Sequence, residues 1–382
     1  MSSDSSGRSK LVAAVWGDPE ALLARAFDRM RAELPSYARL ELTELVPYGQ
    51  RTLAPLMEAI TEARAFTDAE VAILVAHGHA RGRQGIPVTD MFQGWRLTIR
   101  GIAEDTVTRG RSAGFSDSEL LELNNDLVEI TDAAILAMAR GHHAAELELT
   151  RHDQQHRADV VRGVLFGTLT PAETRIEVER FGLDADREYR ALRARPNAEF
   201  PADRLILRLE QAPDGTRPRS LLAIIDGDIA GFADTAPPGD IAAAIGIGPA
   251  ARPDRMEPSF RSATRAMTTA DAFGRTGVHD MSSLGLLPAV LADSEVGTEI
   301  LRRYVTPLGD NDSAAAMLDT LRHYMRNGLR IDHTAEAMHL HTNTIRYRLR
   351  RYQDLLGIDL TDPPQLLEAW WAVQRLTVQH PE

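Results

Sequence analysis

The chain contains no cysteine, which excludes disulfides, thiolate-held metals and cysteine nucleophiles. Aromatic residues make up only 5% of the 382 positions, so most of the core must come from Leu, Ile, Val, Ala and Met. No apolar run approaches the roughly 18 residues that a membrane-crossing helix needs. The stretch Met1 to Lys10 is polar and Ser-rich and has no signal-peptide core. A cytoplasmic protein with no membrane contact is the resulting expectation.

Catalytic and metal signatures are also missing. There is no GxxxxGK[ST] phosphate loop and no nucleophile elbow. His152 and His156 are four apart, but no HExxH-type carboxylate accompanies them and His142 is poorly phased to join. They read as surface histidines on a polar helix, and no metal or cofactor is expected. His77 and His79, two apart on a helix, point in different directions.

The net charge of −12 argues against a surface that coats nucleic acid or anionic lipid throughout. It leaves room for a local basic patch, because charge is screened over about 8–10 Å in physiological salt. At roughly 100–200 residues per domain, the length suits two to four domains.

From about Pro19 to Glu148 apolar residues recur at three- and four-residue spacing, as in Glu20–Leu34, Leu53–Ala65, Asp68–Arg81 and Asp117–Ala139. Thr67-Asp68, Ser116-Asp117 and Pro87-Val88-Thr89-Asp90 are helix starts. An all-helical bundle follows. Asn124 to Phe166 reads as one long charged helix or two in series. Its half from Glu146 to Arg162 suits a signalling linker, a short coiled coil or a solvated connecting helix.

The pattern then changes. Glu188–Arg195 and Ser220–Ile225 read as strands, and Asp226-Gly227-Asp228 is a turn into Ile229–Phe232. Ala242–Ile247 suits a buried strand, and Ser259–Phe273, Pro288–Ala292 and Val296–Val305 suit helices. Strands interleaved with helices indicate an α/β or α+β domain. Gly309 to Ser313 marks its end.

The last segment carries the clearest chemistry. Met317, Leu318, Leu321 and Tyr324 form a helical apolar stripe that Asn327-Gly328 terminates. Asp332 is the expected cap of a short helix, Thr334–Met338, and Thr342 the expected cap of the next. In that third helix Ile345, Leu349, Tyr352 and Leu356 fall on one core-facing stripe, and Gly357 ends it. The opposite side gathers Asn343, Thr344, Arg346, Tyr347, Arg348, Arg350 and Arg351, with no acidic residue between Glu336 and Asp354. Arginine can bind guanine O6 and N7 or phosphate, and asparagine pairs similarly with adenine. A helix N-terminus presents backbone N–H groups to phosphate. Thr342, Asn343 and Thr344 at that end match a recognition helix that enters a major groove, and Arg348 and Arg351 are placed for phosphates. His339 and His341 flank the turn and suit phosphate contact or turn packing. Trp370-Trp371 suit packing of a last helix.

Leu318-Asp319-Thr320-Leu321-Arg322-His323-Tyr324, Thr334-Ala335-Glu336-Ala337-Met338, His341-Thr342-Asn343-Thr344-Ile345-Arg346-Tyr347-Arg348-Leu349 and Leu355-Leu356-Gly357-Ile358-Asp359-Leu360 resemble the C-terminal helix-turn-helix of PucR/CdaR-type bacterial transcriptional regulators. Thr342 departs from the basic residue often found there. Asp159 to Gly167, and Ala244-Ile245-Gly246-Ile247-Gly248 followed by Ser259 to Ala263, resemble that family's central GGDEF-like domain. A working cyclase needs a Gly-rich hairpin with acidic residues for nucleotide and metal. Asp226-Gly227-Asp228 lacks that run, so a degenerate domain without enzymatic activity is expected. The N-terminal region, including Gly94-Trp95-Arg96, resembles RsbR-type sensory bundles.

The expected architecture is thus multidomain and mainly α. It comprises a helical sensory domain over 11–150, a central α/β GGDEF-like domain over 158–308 and a helix-turn-helix over 313–380. The resemblance implies operator binding on double-stranded DNA, as a homodimer or higher oligomer, with a possible small-molecule effector. The competing expectation is an RsbR-like partner-binding signalling protein in which DNA binding is secondary.

Overall fold

The computed structural model describes residues 2–211 and 219–379; residue 380, the expected end of the last domain, lies outside them. The chain is mostly helical, with one small mixed sheet. It divides into two compact units, 1–153 and 154–382, and the division falls within a helix. No helix among the described residues is long and apolar enough to cross a membrane.

The first unit contains α1 (Ser2–Trp16), α2 (Pro19–Glu33), α3 (Pro35–Ala38), α4 (Leu42–Thr61), α5 (Asp68–Arg83), α6 (Val88–Ser112) and most of α7 (Asp117–Leu165). The polar start is helical because Leu11, Val12, Val15 and Trp16 supply a buried stripe at its end. Asp18 caps α2, its carboxylate accepting from the Ala21 N–H. Thr67 and Glu70 form a capping box at α5. The apolar spacing of Leu22, Leu23, Ala26, Phe27 and Met30 turns one face of α2 inward. Where α5 crosses α7, the backbones meet closely: a Cβ on Gly78 would overlap the Met138 carbonyl, and one on Gly141 would overlap that of Val75. Here glycine is required for space, not for turn geometry. The stretch from Asn124 to Phe166 is one helix through Leu165.

The second unit begins with the end of α7, then α8 (Pro171–Arg180), β1 (Tyr189–Ala194), α9 (Ala202–Leu209), β2 (Ser220–Ile225), β3 (Asp228–Ala233), β4 (Ala244–Ala251), α10 (Met256–Ala272) and β5 (Gly277–His279). The strand order is β2-β3-β1-β4-β5, antiparallel except for the β4–β5 pair. The sheet is therefore mixed rather than the parallel sheet of a regular α/β fold. Alternation along β1 sends Tyr189 and Ala191 into one core and Leu192 and Ala194 into another. Gly246 and Gly248 let α10 lie directly on β4. The Asp226-Gly227 turn has positive φ at both residues, 53° and 84°, the backbone of a two-residue hairpin.

The remaining helices are α11 (Met281–Leu284), α12 (Leu287–Ala292), α13 (Ser294–Tyr304), α14 (Asp312–Arg326), α15 (Ile331–Ala337), α16 (Thr342–Leu356) and α17 (Pro363–Gln379). Helices α12 and α13 pack on α17, so Tyr304 and Leu308 join the core formed by α14 to α17.

One electrostatic feature of the first unit is testable. The Glu70 carboxylate accepts both Arg64 Nη1 and Nη2 at 2.7 and 2.9 Å, and the Thr67 backbone N–H at 2.7 Å. The Arg64 bonds, ahead of the capping bonds, hold its carboxyl down at about 2, against an ordinary 4.5. A folded-state pKa below the unfolded one gives stability that is present above pH 4.5 and lost as pH falls toward 2. Urea unfolding between pH 6 and pH 3 should show wild type losing more stability than Glu70→Gln over this window; parallel losses would contradict the assignment.

Candidate nucleic-acid interface

Helix α14 starts at an Asn311 cap, whose side-chain carbonyl accepts the Ala314 N–H at 3.0 Å. It turns Ala314, Met317, Thr320 and Leu321 inward. Ala335 is buried in α15, where a small side chain allows the short helix to pack closely against α14 and α16. Ile345, Leu349 and Tyr352 of α16 are all buried, while Leu356 is half-buried. The Tyr352 hydroxyl donates to the Tyr304 carbonyl at 3.2 Å, and burial raises its pKa above the ordinary phenol range. The Tyr304 hydroxyl in turn donates to the Glu368 carboxylate at 2.5 Å, linking α13 to α17. Helix α16 ends at Gly357 in the left-handed conformation, φ 63°, as expected from sequence.

Two expected caps are corrected. Helix α16 begins at Thr342 itself, and the cap is His341, whose Nδ1 accepts the Asn343 N–H at 3.2 Å. An unprotonated imidazole nitrogen supplies the same lone pair as a hydroxyl, and this moves the start one residue back. Helix α15 begins at Ile331 after Arg330 with no side-chain cap. Asp332 lies in its first turn, paired with Arg330 at 2.8 Å, where a carboxylate still complements the helix dipole. The turn between α15 and α16 also uses His339, at φ 53°.

The structure brings the candidate residues together on α16. Asn343, Arg346, Tyr347, Arg350 and Arg351 are exposed, and Thr342, Thr344 and Arg348 are half-buried. Tyr347 is 69% exposed, a large ring left mostly open to solvent. Arg346 Nη1 donates to the Asn343 Oδ1 at 3.1 Å, so the two side chains orient one another. Arg348 differs: its Nη1 donates to the Thr320 hydroxyl of α14 at 3.2 Å, which ties it to the domain. Arg350 comes within 4.0 Å of Asp354, an exposed pair worth little. Among the described residues no carboxylate pairs with Arg346, Arg348 or Arg351. Trp370 and Trp371 are half-buried on α17.

Outside this surface, the hairpin acid Asp228 is engaged by Arg193 at 2.8 Å and Arg195 at 3.1 Å. Among the described residues no cluster of three His, Asp or Glu side chains is arranged to hold a metal. Sequence reading missed the buried Arg81 of α5, because its spacing is that of any solvated helix arginine.

Residues 317–374 match the PucR C-terminal helix-turn-helix domain. The chain carries a PucR-type helix-turn-helix. Residues 20–157 match the N-terminal domain of the RsbT co-antagonist protein RsbRD. An uncharacterised protein in the pkwA 5′ region of Thermomonospora curvata is 36% identical over 95 residues, 24% of this chain and 53% of that protein. An uncharacterised protein of Mycobacterium tuberculosis is 29% identical over 158 residues, 37% of this chain and 35% of its own length. The chain thus spans about half the length of one of these relatives and about a third of the other. The crystal structure of a regulator of polyketide synthase expression from Bifidobacterium adolescentis aligns over 59% of this chain and 97% of its own, with 17% identity and a TM-score of 0.27.

In the PucR-type domain, buried and exposed positions of α16 should separate cleanly on mutation. Ile345→Ala should cost about 2–5 kcal/mol in urea unfolding. Tyr347→Ala should stay within about 0.5 kcal/mol of wild type. Comparable losses in both would mean that Tyr347 is covered in solution.

Proposed function

We propose that this chain is a transcriptional regulator that binds operator DNA through α16. The observation that carries the reading is the exposed α16 surface of the PucR-type domain, where Asn343, Arg346, Tyr347 and Arg351 project without an internal carboxylate partner. An α-helix fits the major groove. Asn343 and Arg346, near the N-terminal end of α16, read base edges. Thr342 and Thr344 lie beside the first-turn N–H groups that receive a phosphate. Tyr347, Arg350 and Arg351 follow the backbone, and Arg348 braces α16 on α14 while its remaining donors stay available to phosphate.

A single small helix-turn-helix buries little surface, and a dimer doubles the contacts on half-sites about 34 Å apart. The regulator works as a homodimer or higher oligomer in a bacterial cytoplasm, with a signal at the N-terminal or central domain altering the spacing of the recognition helices. The central domain is a degenerate GGDEF-like module of CdaR type without catalysis; the engagement of Asp228 by two arginines supports this. The match of residues 20–157 to the RsbRD N-terminal domain favours a second reading, a partner-binding signalling protein in which DNA contact is subsidiary.

Binding to a promoter fragment measured across a salt series tests the assignment. Asn343→Ala and Arg346→Ala should each cost about 1–3 kcal/mol and relax base preference. Arg351→Ala should weaken binding alike on all sequences and reduce the salt slope by about one. Affinity that ignores salt, or equal losses for all three variants on every duplex, would overturn the proposed groove-facing side.

A further inference from the structure

One of the large, fully enclosed side chains among the described residues is a cation. Arg81 is 1% exposed within the N-terminal bundle. Its Nη1 donates to Gln84 Oε1 at 2.7 Å, its Nε to His77 Nε2 at 3.4 Å, and its guanidinium carbon stands 5.3 Å from the centre of the Tyr48 ring. Among the described residues no carboxylate lies within ion-pair distance of it. The charge of Glu44 reaches Arg81, but only from beyond ion-pair distance. Burial, and then the charge of Arg81, push His77 down to about 3, so the ring is neutral. Its Nδ1 meets the Thr52 hydroxyl at 2.8 Å, and that hydroxyl donates to the Tyr48 carbonyl at 2.6 Å. The Tyr37 phenol is held protonated, pushed up to about 12 chiefly by burial. The nearby acids are occupied: Glu44 accepts the Glu41 N–H at 3.2 Å and Asp90 accepts the Ser36 hydroxyl at 2.7 Å.

A buried guanidinium without a counter-charge is strongly disfavoured and calls for one. Arg81 lines a cavity of about 40 Å³ together with His77, Thr52, Tyr37 and Trp95. A second, independent observation comes from Trp95: its Nε1 is buried with no hydrogen-bond partner. An indole N–H in that state lacks an acceptor. Apart from Thr98, whose hydroxyl donates to the Gly94 carbonyl at 3.0 Å, the rest of the lining is apolar, with Met30, Met91 and Met138 able to adjust to a ligand's shape. At roughly 10–15 Å³ per water-sized group, the space suits three or four such groups.

We propose that this cavity binds a short-chain monocarboxylate of about acetate size, with its carboxylate on Arg81 and Trp95 Nε1 and its hydrocarbon end among the methionines. One planar carboxylate supplies the missing charge and two acceptor oxygens. A phosphate or sulfate, bearing more charge, finds too few donors here and an apolar wall behind it. Use of the ligand as the signal rests on the regulator reading; its binding is measured without DNA, so either can fail alone.

The test titrates the full chain with sodium acetate, propionate and butyrate, against sodium chloride and phosphate at matched ionic strength, following thermal unfolding and tryptophan fluorescence. At least one carboxylate should bind saturably, raise the Tm and change the fluorescence. Arg81→Met, with its fold checked by circular dichroism, should bind about thirtyfold more weakly or worse. Trp95→Phe keeps the cation and should weaken binding several-fold while abolishing the fluorescence change, which carries the test should Arg81→Met fail to fold. Absence of saturable carboxylate binding in wild type, preference for phosphate, or unchanged affinity in both variants would overturn the proposal.

Discussion

The C-terminal domain depends on one helix being anchored from a single side. Ile345, Leu349 and Tyr352 fix α16 among α14, α15 and α17, and the Tyr352 hydroxyl fixes its rotation through the Tyr304 carbonyl. Because the apolar stripe is narrow, Asn343, Arg346, Tyr347, Arg350 and Arg351 are directed outward. The arginines are therefore exposed as a consequence of packing, in a chain whose net charge is −12. Their interaction with a polyanion requires no rearrangement of the core.

Much of this domain was legible in the sequence because the signals were redundant. Helical spacing, the Asn327-Gly328 and Gly357 stops and the missing acids between Glu336 and Asp354 agreed on the same arrangement. The caps were read less well. Thr342 and Asp332 carry the usual capping side chains, yet His341 caps one helix and Arg330 precedes the other without a side-chain capping bond. Single-residue boundaries are decided by local hydrogen bonds that a residue type alone does not specify. Farther upstream, α4 extends back to Leu42, beyond the Leu53–Ala65 segment that spacing marks, and holds Pro47 and Pro55 although proline disfavours a helix interior. Tertiary packing of Leu45, Leu53 and Leu56 overrides that local preference.

The sheet and the bundle show what spacing cannot reveal. The strands were visible as short β-rich runs, but their order was not, since β1 lies between β3 and β4 far along the chain. In the bundle, apolar spacing does not mark Gly78 and Gly141, where α5 and α7 touch. Arg81 belongs to the same category. Its sequence neighbours are polar or small, and only the fold encloses it with Tyr48, His77 and Trp95.

The absence of cysteine makes the central claim directly measurable. Tyr347→Cys introduces the chain's single thiol on the outward side of α16, where an iron chelate can be attached to generate hydroxyl radicals. With a promoter fragment bound, cleavage should be confined to one short tract of the duplex for each bound subunit. A bound fragment left uncut from this position would place the DNA elsewhere on the protein and contradict the account.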